Sequence, residues 1–174
     1  MDIPKLLEKM GFLLTFHLNG SMQLVHSEIA IDFLTVEKGR GTEEVLKMPS
    51  FGIVAQPLRF LSLLEEDVLN VPYQGLMVRV PHPVRFAVHK LVISQRRKHL
   101  TRTHRNPKEG RDIRQALEVL NMLCQFGEQE KIKTVFSELT SKQKKYVRQA
   151  LGTAPAVEQL ALMPVDILGY IDSV

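Results

Sequence analysis

A chain of 174 residues that is 44% hydrophobic and 24% charged can build one ordinary core or two small lobes, and it is too apolar to be disordered throughout. Its formal charge of +4 has one source: residues 95–112, QRRKHLTRTHRNPKEGRD, hold seven Lys and Arg against Glu109 and Asp112, and the remainder is close to neutral. No apolar run approaches the roughly 18 residues of a membrane span, the start MDIPKLLEKMGF lacks a basic signal-peptide region, and the lone Cys124 permits no disulfide framework, so a soluble, cytoplasmic protein without a membrane partner is expected.

In chain order, residues 4–10 read as a short helix. Residues 12–18, 22–26 and 28–35 read as strands, and Asn19-Gly20-Ser21 marks a hairpin turn between the first two. A connector with Gly39 and Gly41 follows, without the strand-to-helix setting of a phosphate-binding glycine loop. Residues 57–66, PLRFLSLLEE, have helical spacing with Pro57 in the first turn, and 68–72 and 76–80 are two strand-like pieces joined through Tyr73-Gln74-Gly75.

From Pro83 the period changes to that of helices. The spacing predicts them over 83–99, 108–126, 128–139 and 142–152, with another in the tail. The expected fold class is α+β: a small mixed or antiparallel sheet lobe over residues 1–80, then an all-helical lobe over 81–174. Cys124 lies in the apolar helical pattern QALEVLNMLCQF and reads as a small buried side chain.

Three places could carry chemistry. In EIAIDFLT, Glu28, Ala30, Asp32 and Leu34 share one strand face, which puts Asp32 in the middle of a buried or half-buried strand. A carboxylate there needs a cation, a metal or an exposed edge. In the helix from Pro83, Ala87, Val88, Leu91 and Val92 form a core face, whereas Phe86, Lys90, Ile93 and Arg97 form an adjoining stripe. Lys90 and Arg97 then either hold an anion such as a polyphosphate or snorkel to water. The basic run itself suits a phosphate-bearing partner or a solvated hinge. Arg111 and Asp112, side by side near a helix start, say little by themselves.

Taken together, HSEIAIDFLT, then VPHPVRFAVHKLVISQRR, then GRDIRQA at a helix start resemble bacterial nucleotidyltransferase-fold proteins of the polymerase-β-like superfamily, among them relatives of abortive-infection and toxin-type nucleotidyltransferases. The resemblance covers roughly residues 11–123. It implies a palm-like sheet whose carboxylates hold Mg²⁺, a nucleoside triphosphate as substrate, and a helical lobe contacting the nucleotide. On it, Asp32 is the catalytic, metal-binding third carboxylate and Lys90 the helix lysine that reaches the phosphates. Arg96, Arg97 and Arg111 bind nucleotide, and Asp112 trails the same signature. That family also carries a Gly-Ser turn followed by a D-x-D strand. Here Gly20-Ser21 is followed by MQLVHSEIAID, with its acids four positions apart, so the turn reads as a plain hairpin and the first half of the palm is expected to lie outside this chain.

Two functions follow as expectations. One is transfer of a nucleotidyl group to an unidentified acceptor, nucleic acid or protein, inactive in this chain alone and with an antitoxin-like partner in view. The other is a non-catalytic module that binds nucleic acid or protein through residues 96–111.

Overall fold

The computed structural model describes residues 2–37, 44–100, 107–153, 167 and 169, with backbone alone for 96–100 and 107–109. The chain forms two compact units, Met1–Ser62 and Leu63–Val174. As the residue pattern predicts, β-sheet comes first and an all-helical region closes the chain.

The first unit opens with α1 (Ile3–Glu8), whose first turn is capped by the Asp2 carboxylate accepting from the Lys5 N–H at 3.2 Å. β1 (Leu13–Phe16), β2 (Met22–His26) and β3 (Ile29–Asp32) then make an antiparallel sheet in that order. The expected hairpin turn is present: His17 N–H donates to the Ser21 carbonyl at 2.9 Å, and Gly20 takes a φ of 82° that a side chain would resist.

The stretch expected as a single strand over 28–35 is instead divided. Glu28 sits with Ser27 in the turn after β2, β3 ends at Asp32, and β4 (Leu34–Val36) joins a second sheet with β5 (Leu46–Met48) and β6 (Ile53–Leu58). The order is β4-β6-β5, with β4–β6 parallel and β5–β6 antiparallel. Glu28 and Asp32 therefore do not share a strand.

The helix expected over 57–66 is a second correction. Pro57 lies in β6 opposite Thr35, and only a 3₁₀ turn, Leu61–Leu64, follows. Gln56 N–H donates to the Phe33 carbonyl at 2.8 Å, so the next backbone nitrogen, that of Pro57, points away from β4. It also lies beyond the stretch paired with β5, so its missing N–H costs the ladder nothing.

In the second unit β7 (Leu69–Tyr73) and β8 (Leu76–Val80) form a hairpin, closed by Gln74 and Gly75 with φ of 47° and 80°. Positive φ at both positions is the two-residue geometry that suits the strand twist. The helices follow: α2 (Pro83–Leu100), α3 (Pro107–Gln125), α4 (Gln129–Glu138) and α5 (Ser141–Leu151). The tail helix expected after these lies outside the described residues.

α2 is the hub and packs against α3, α5 and α4. Its predicted core positions Ala87, Val88, Leu91 and Val92 are all fully buried, as are Leu117 and Leu120 of α3 and Val147 of α5. At the start of α5, Thr140 Oγ1 accepts from the Gln143 N–H while Gln143 Oε1 accepts from the Thr140 N–H, a reciprocal cap.

Candidate functional site

Asp32 ends the edge strand β3. That strand is largely exposed, and the Asp32 side chain keeps 47% of its surface in water, so the expectation of a buried carboxylate is corrected. The physical reason is the two-residue turn and the break at Phe33: β3 ends the sheet β1-β2-β3, with β2 its one strand neighbour among the described residues. Asp32 Oδ1 accepts from Gln23 Nε2, its cross-strand neighbour, at 2.9 Å and pairs with His17 Nε2 at 2.8 Å. Neither partner was singled out in the sequence, where the alternative to a metal was an exposed edge or an arginine partner; the edge is what the structure shows.

The remaining candidates belong to the second unit. Lys90 Nζ stands 2.9 Å from Asp112 Oδ1, joining the middle of α2 to the first turns of α3. The Asp112 side chain is 5% exposed and that of Lys90 22%. The same ammonium lies 5.4 Å from the centroid of the Phe86 ring one turn earlier. The stripe of Phe86 and Lys90 therefore exists, but its lysine is engaged with a buried acid that the sequence had marked only as commonplace.

Arg111 is exposed beside Asp112. Arg96 and Arg97 lie on the last turns of α2, with side chains outside the described residues. By backbone alone, these arginines occupy the end of the α2–α3 pair where α2 finishes and α3 begins. There the N-terminus of α3 adds the positive end of its helix dipole.

A second charged cluster went unmarked. Arg85, 5% exposed on the first turns of α2, reaches Glu66 Oε2 at 2.7 Å, Asp67 Oδ2 at 3.0 Å and the Glu138 carboxylate, while Lys131 Nζ joins Asp67 at 3.1 Å. The hydrogen bonds from Arg85 and Lys131 hold the Asp67 carboxyl below the usual carboxylate range. Beside it His82 caps α2, its Nδ1 accepting from the Val84 N–H at 3.2 Å. Burial, with Lys131 nearby, lowers the His82 pKa. Cys124 is buried as expected, and burial raises its thiol pKa.

The residues do not by themselves fit a Mg²⁺ pair. Among the described residues no three His, Cys, Asp or Glu side chains gather as a metal site, and one oxygen of Asp32 is already shared by two neighbours.

The Nucleotidyltransferase family matches residues 1–141, most of the chain, and the chain belongs to that family. Neither the curated proteins nor the solved structures contain a match. No described helix is long and apolar enough to cross a membrane.

Proposed function

We propose that this chain binds a nucleoside triphosphate and serves transfer of its nucleotidyl group to an acceptor, nucleic acid or protein, and that the isolated chain does not complete the transfer. The family match over residues 1–141, which takes in Asp32, Lys90, Arg96, Arg97, Arg111 and Asp112, carries this reading. Asp32 is the one carboxylate offered to the Mg²⁺ that accompanies the triphosphate. The lack of a D-x-D pair after Gly20-Ser21 supports inactivity of this chain alone.

In this reading Arg96, Arg97 and Arg111 receive the phosphates at the end of the α2–α3 pair, where guanidinium forks suit phosphate oxygens and the α3 terminus favours negative charge. Lys90 contributes chiefly by neutralising Asp112, and so fixes the two helices that present the arginines. Kinship with the bacterial abortive-infection and toxin-type enzymes rests on residues 81–97, and would make an antitoxin-like protein a partner and the cytoplasm the setting.

The test is equilibrium binding of nucleoside triphosphate with Mg²⁺ to the full chain, with Arg97→Ala, Arg111→Ala and Asp32→Asn compared. Loss of about tenfold in affinity for either arginine variant is expected, with no labelled nucleotide transferred by the chain alone. Affinity indifferent to all three substitutions would overturn the assignment. Binding of RNA or DNA that falls steeply with salt and ignores triphosphate would instead establish the second reading, a nucleic-acid module built on residues 96–111.

A further inference from the structure

The helix α5 concentrates cations a second time, apart from residues 95–112. Its sequence SKQKKYVRQAL holds Lys142, Lys144, Lys145 and Arg148 and no acid. Lys142, Lys145 and Arg148 follow one another at helical spacing on the side opposite the buried Val147, Ala150 and Leu151, and all three are exposed. Lys144 is half-buried on one flank and Tyr146 on the other, with the Lys142 ammonium 6.0 Å from the centroid of the tyrosine ring. No carboxylate among the described residues pairs with Lys142, Lys144 or Lys145.

Such a face works against the helix that carries it. Lys145 follows Lys142 and Arg148 follows Lys145 at three residues, Arg148 follows Lys144 at four, and like charges at these spacings repel. Lys142 also stands in the first turn, where the helix dipole disfavours a cation, and no acid offsets it there. A polyanion along the outer face relieves each of these repulsions.

We propose that the outer face of α5 docks the phosphate backbone of a nucleic-acid strand. Length favours this occupant. From Lys142 to Arg148 the helix rises about 9 Å. A strand repeats a full negative charge roughly every 3.4 Å, so the face meets about two or three successive phosphates. Tyr146 beside Lys142 adds a ring on which a base can stack. A membrane surface would require apolar side chains on the same side, and no large apolar residue of α5 is exposed. The four cations lie beyond residue 141, where the family match ends, so the proposal stands whether or not the chain handles a triphosphate.

The experiment is fluorescence anisotropy of labelled single strands of RNA and of DNA, about 16 nucleotides long, with the full chain over a range of salt. The double variant Lys142→Gln with Lys145→Gln is compared with Lys9→Gln with Lys47→Gln, which removes the same charge from exposed positions of the first unit. Glutamine keeps the helix propensity of lysine, and residues 96–111 are untouched in both variants, so a difference between them belongs to α5. Expected is strand binding by the wild type, weakened about tenfold at low salt by the α5 substitutions, with the log–log salt slope shallower by about 1.4. The first-unit substitutions are expected to change affinity less than about twofold. Failure of the wild type to bind either strand, or an equal loss in both variants, would overturn the proposal. Affinity indifferent to the α5 substitutions would do so too, the outcome if Glu158, Asp166 and Asp172 of residues 154–174 cover the face instead. Binding to phosphatidylserine vesicles in place of either strand would replace it with a membrane surface.

Discussion

Lys90 of α2 and Asp112 of α3 form an ion pair at 2.9 Å in which the acid is almost fully buried and the base reaches it from the edge of the core. The pair clamps two helices that already pack closely, joining the middle of α2 to the first turns of α3. Its arrangement explains how a lysine can sit midway along a core helix: its ammonium lies over the Phe86 ring and its charge is matched inside the fold.

Removing one member should therefore cost far more than removing both. Lys90→Met leaves the buried Asp112 carboxylate without its lysine and is expected to destabilise the chain by about 3 kcal/mol. The double variant Lys90→Met with Asp112→Leu is expected to recover at least about half of that loss. Urea unfolding of the four members of this cycle measures the coupling, and additive single losses would refute it.

Asp32 should behave in the opposite way. Its carboxylate is half in water and its two partners are surface side chains, so Asp32→Asn is expected to change stability by less than about 1 kcal/mol. Thermal unfolding of the variant beside the wild type checks this. A larger loss would mean that Asp32 is structural, and the substitution could then no longer serve as a probe of nucleotide binding.

The helical half was legible because its apolar residues recur at helical spacing, and α2 to α5 fall within about two residues of their expected bounds. The sheet half was less so. Residues 28–35 look continuous in β propensity, yet the turn at Ser27 and Glu28 and the break at Phe33 give the run to two sheets. Pro57 imitates a helix start because its φ suits either state, and only the pairing of β6 decides.

The charged clusters were readable only in part. Asp112 stands four and eight residues before the buried Ala116 and Leu120, and Arg85 stands three and seven before the buried Val88 and Val92. Each is therefore in register with a core face, a signal that a charge must be paired inside. The partners of Arg85 come from a turn eighteen residues back and a helix fifty-three residues on, and no local pattern encodes such meetings.

Arg85 should tolerate no replacement. It serves three carboxylates, Glu66 through Nη1, Glu138 through Nη2 and Asp67 through Nη2 and Nε, so Arg85→Lys, which keeps the charge but loses the fork, is expected to cost about 2 kcal/mol, and Arg85→Met about 3 kcal/mol. The acid limb should change too. Asp67 is held below the ordinary carboxylate value near about 3.9, so its contribution is complete above that value and is lost as pH falls through the lower folded one. Urea unfolding repeated at acid pH should show this loss in the wild type and a weakened one in Arg85→Met. An unchanged acid limb would mean that Lys131 alone sets it.

His82 should give the fold a second pH dependence, at milder acidity. Its Nδ1 accepts the Val84 N–H and must be unprotonated to do so, and burial followed by Lys131 holds its pKa below the ordinary histidine value, against the opposing pull of Asp67 and Glu128. Between an unfolded value near about 6.5 and the lower folded value, the unfolded chain binds more protons, so stability is full above that window and declines as pH falls through it. His82→Asn supplies a side-chain oxygen to the same N–H without titrating, since Asn is among the preferred N-cap residues. Melting temperatures measured from about pH 7.5 to 5 should fall in the wild type and fall less in His82→Asn, whereas the same decline in both would show that the cap at α2 is not its source.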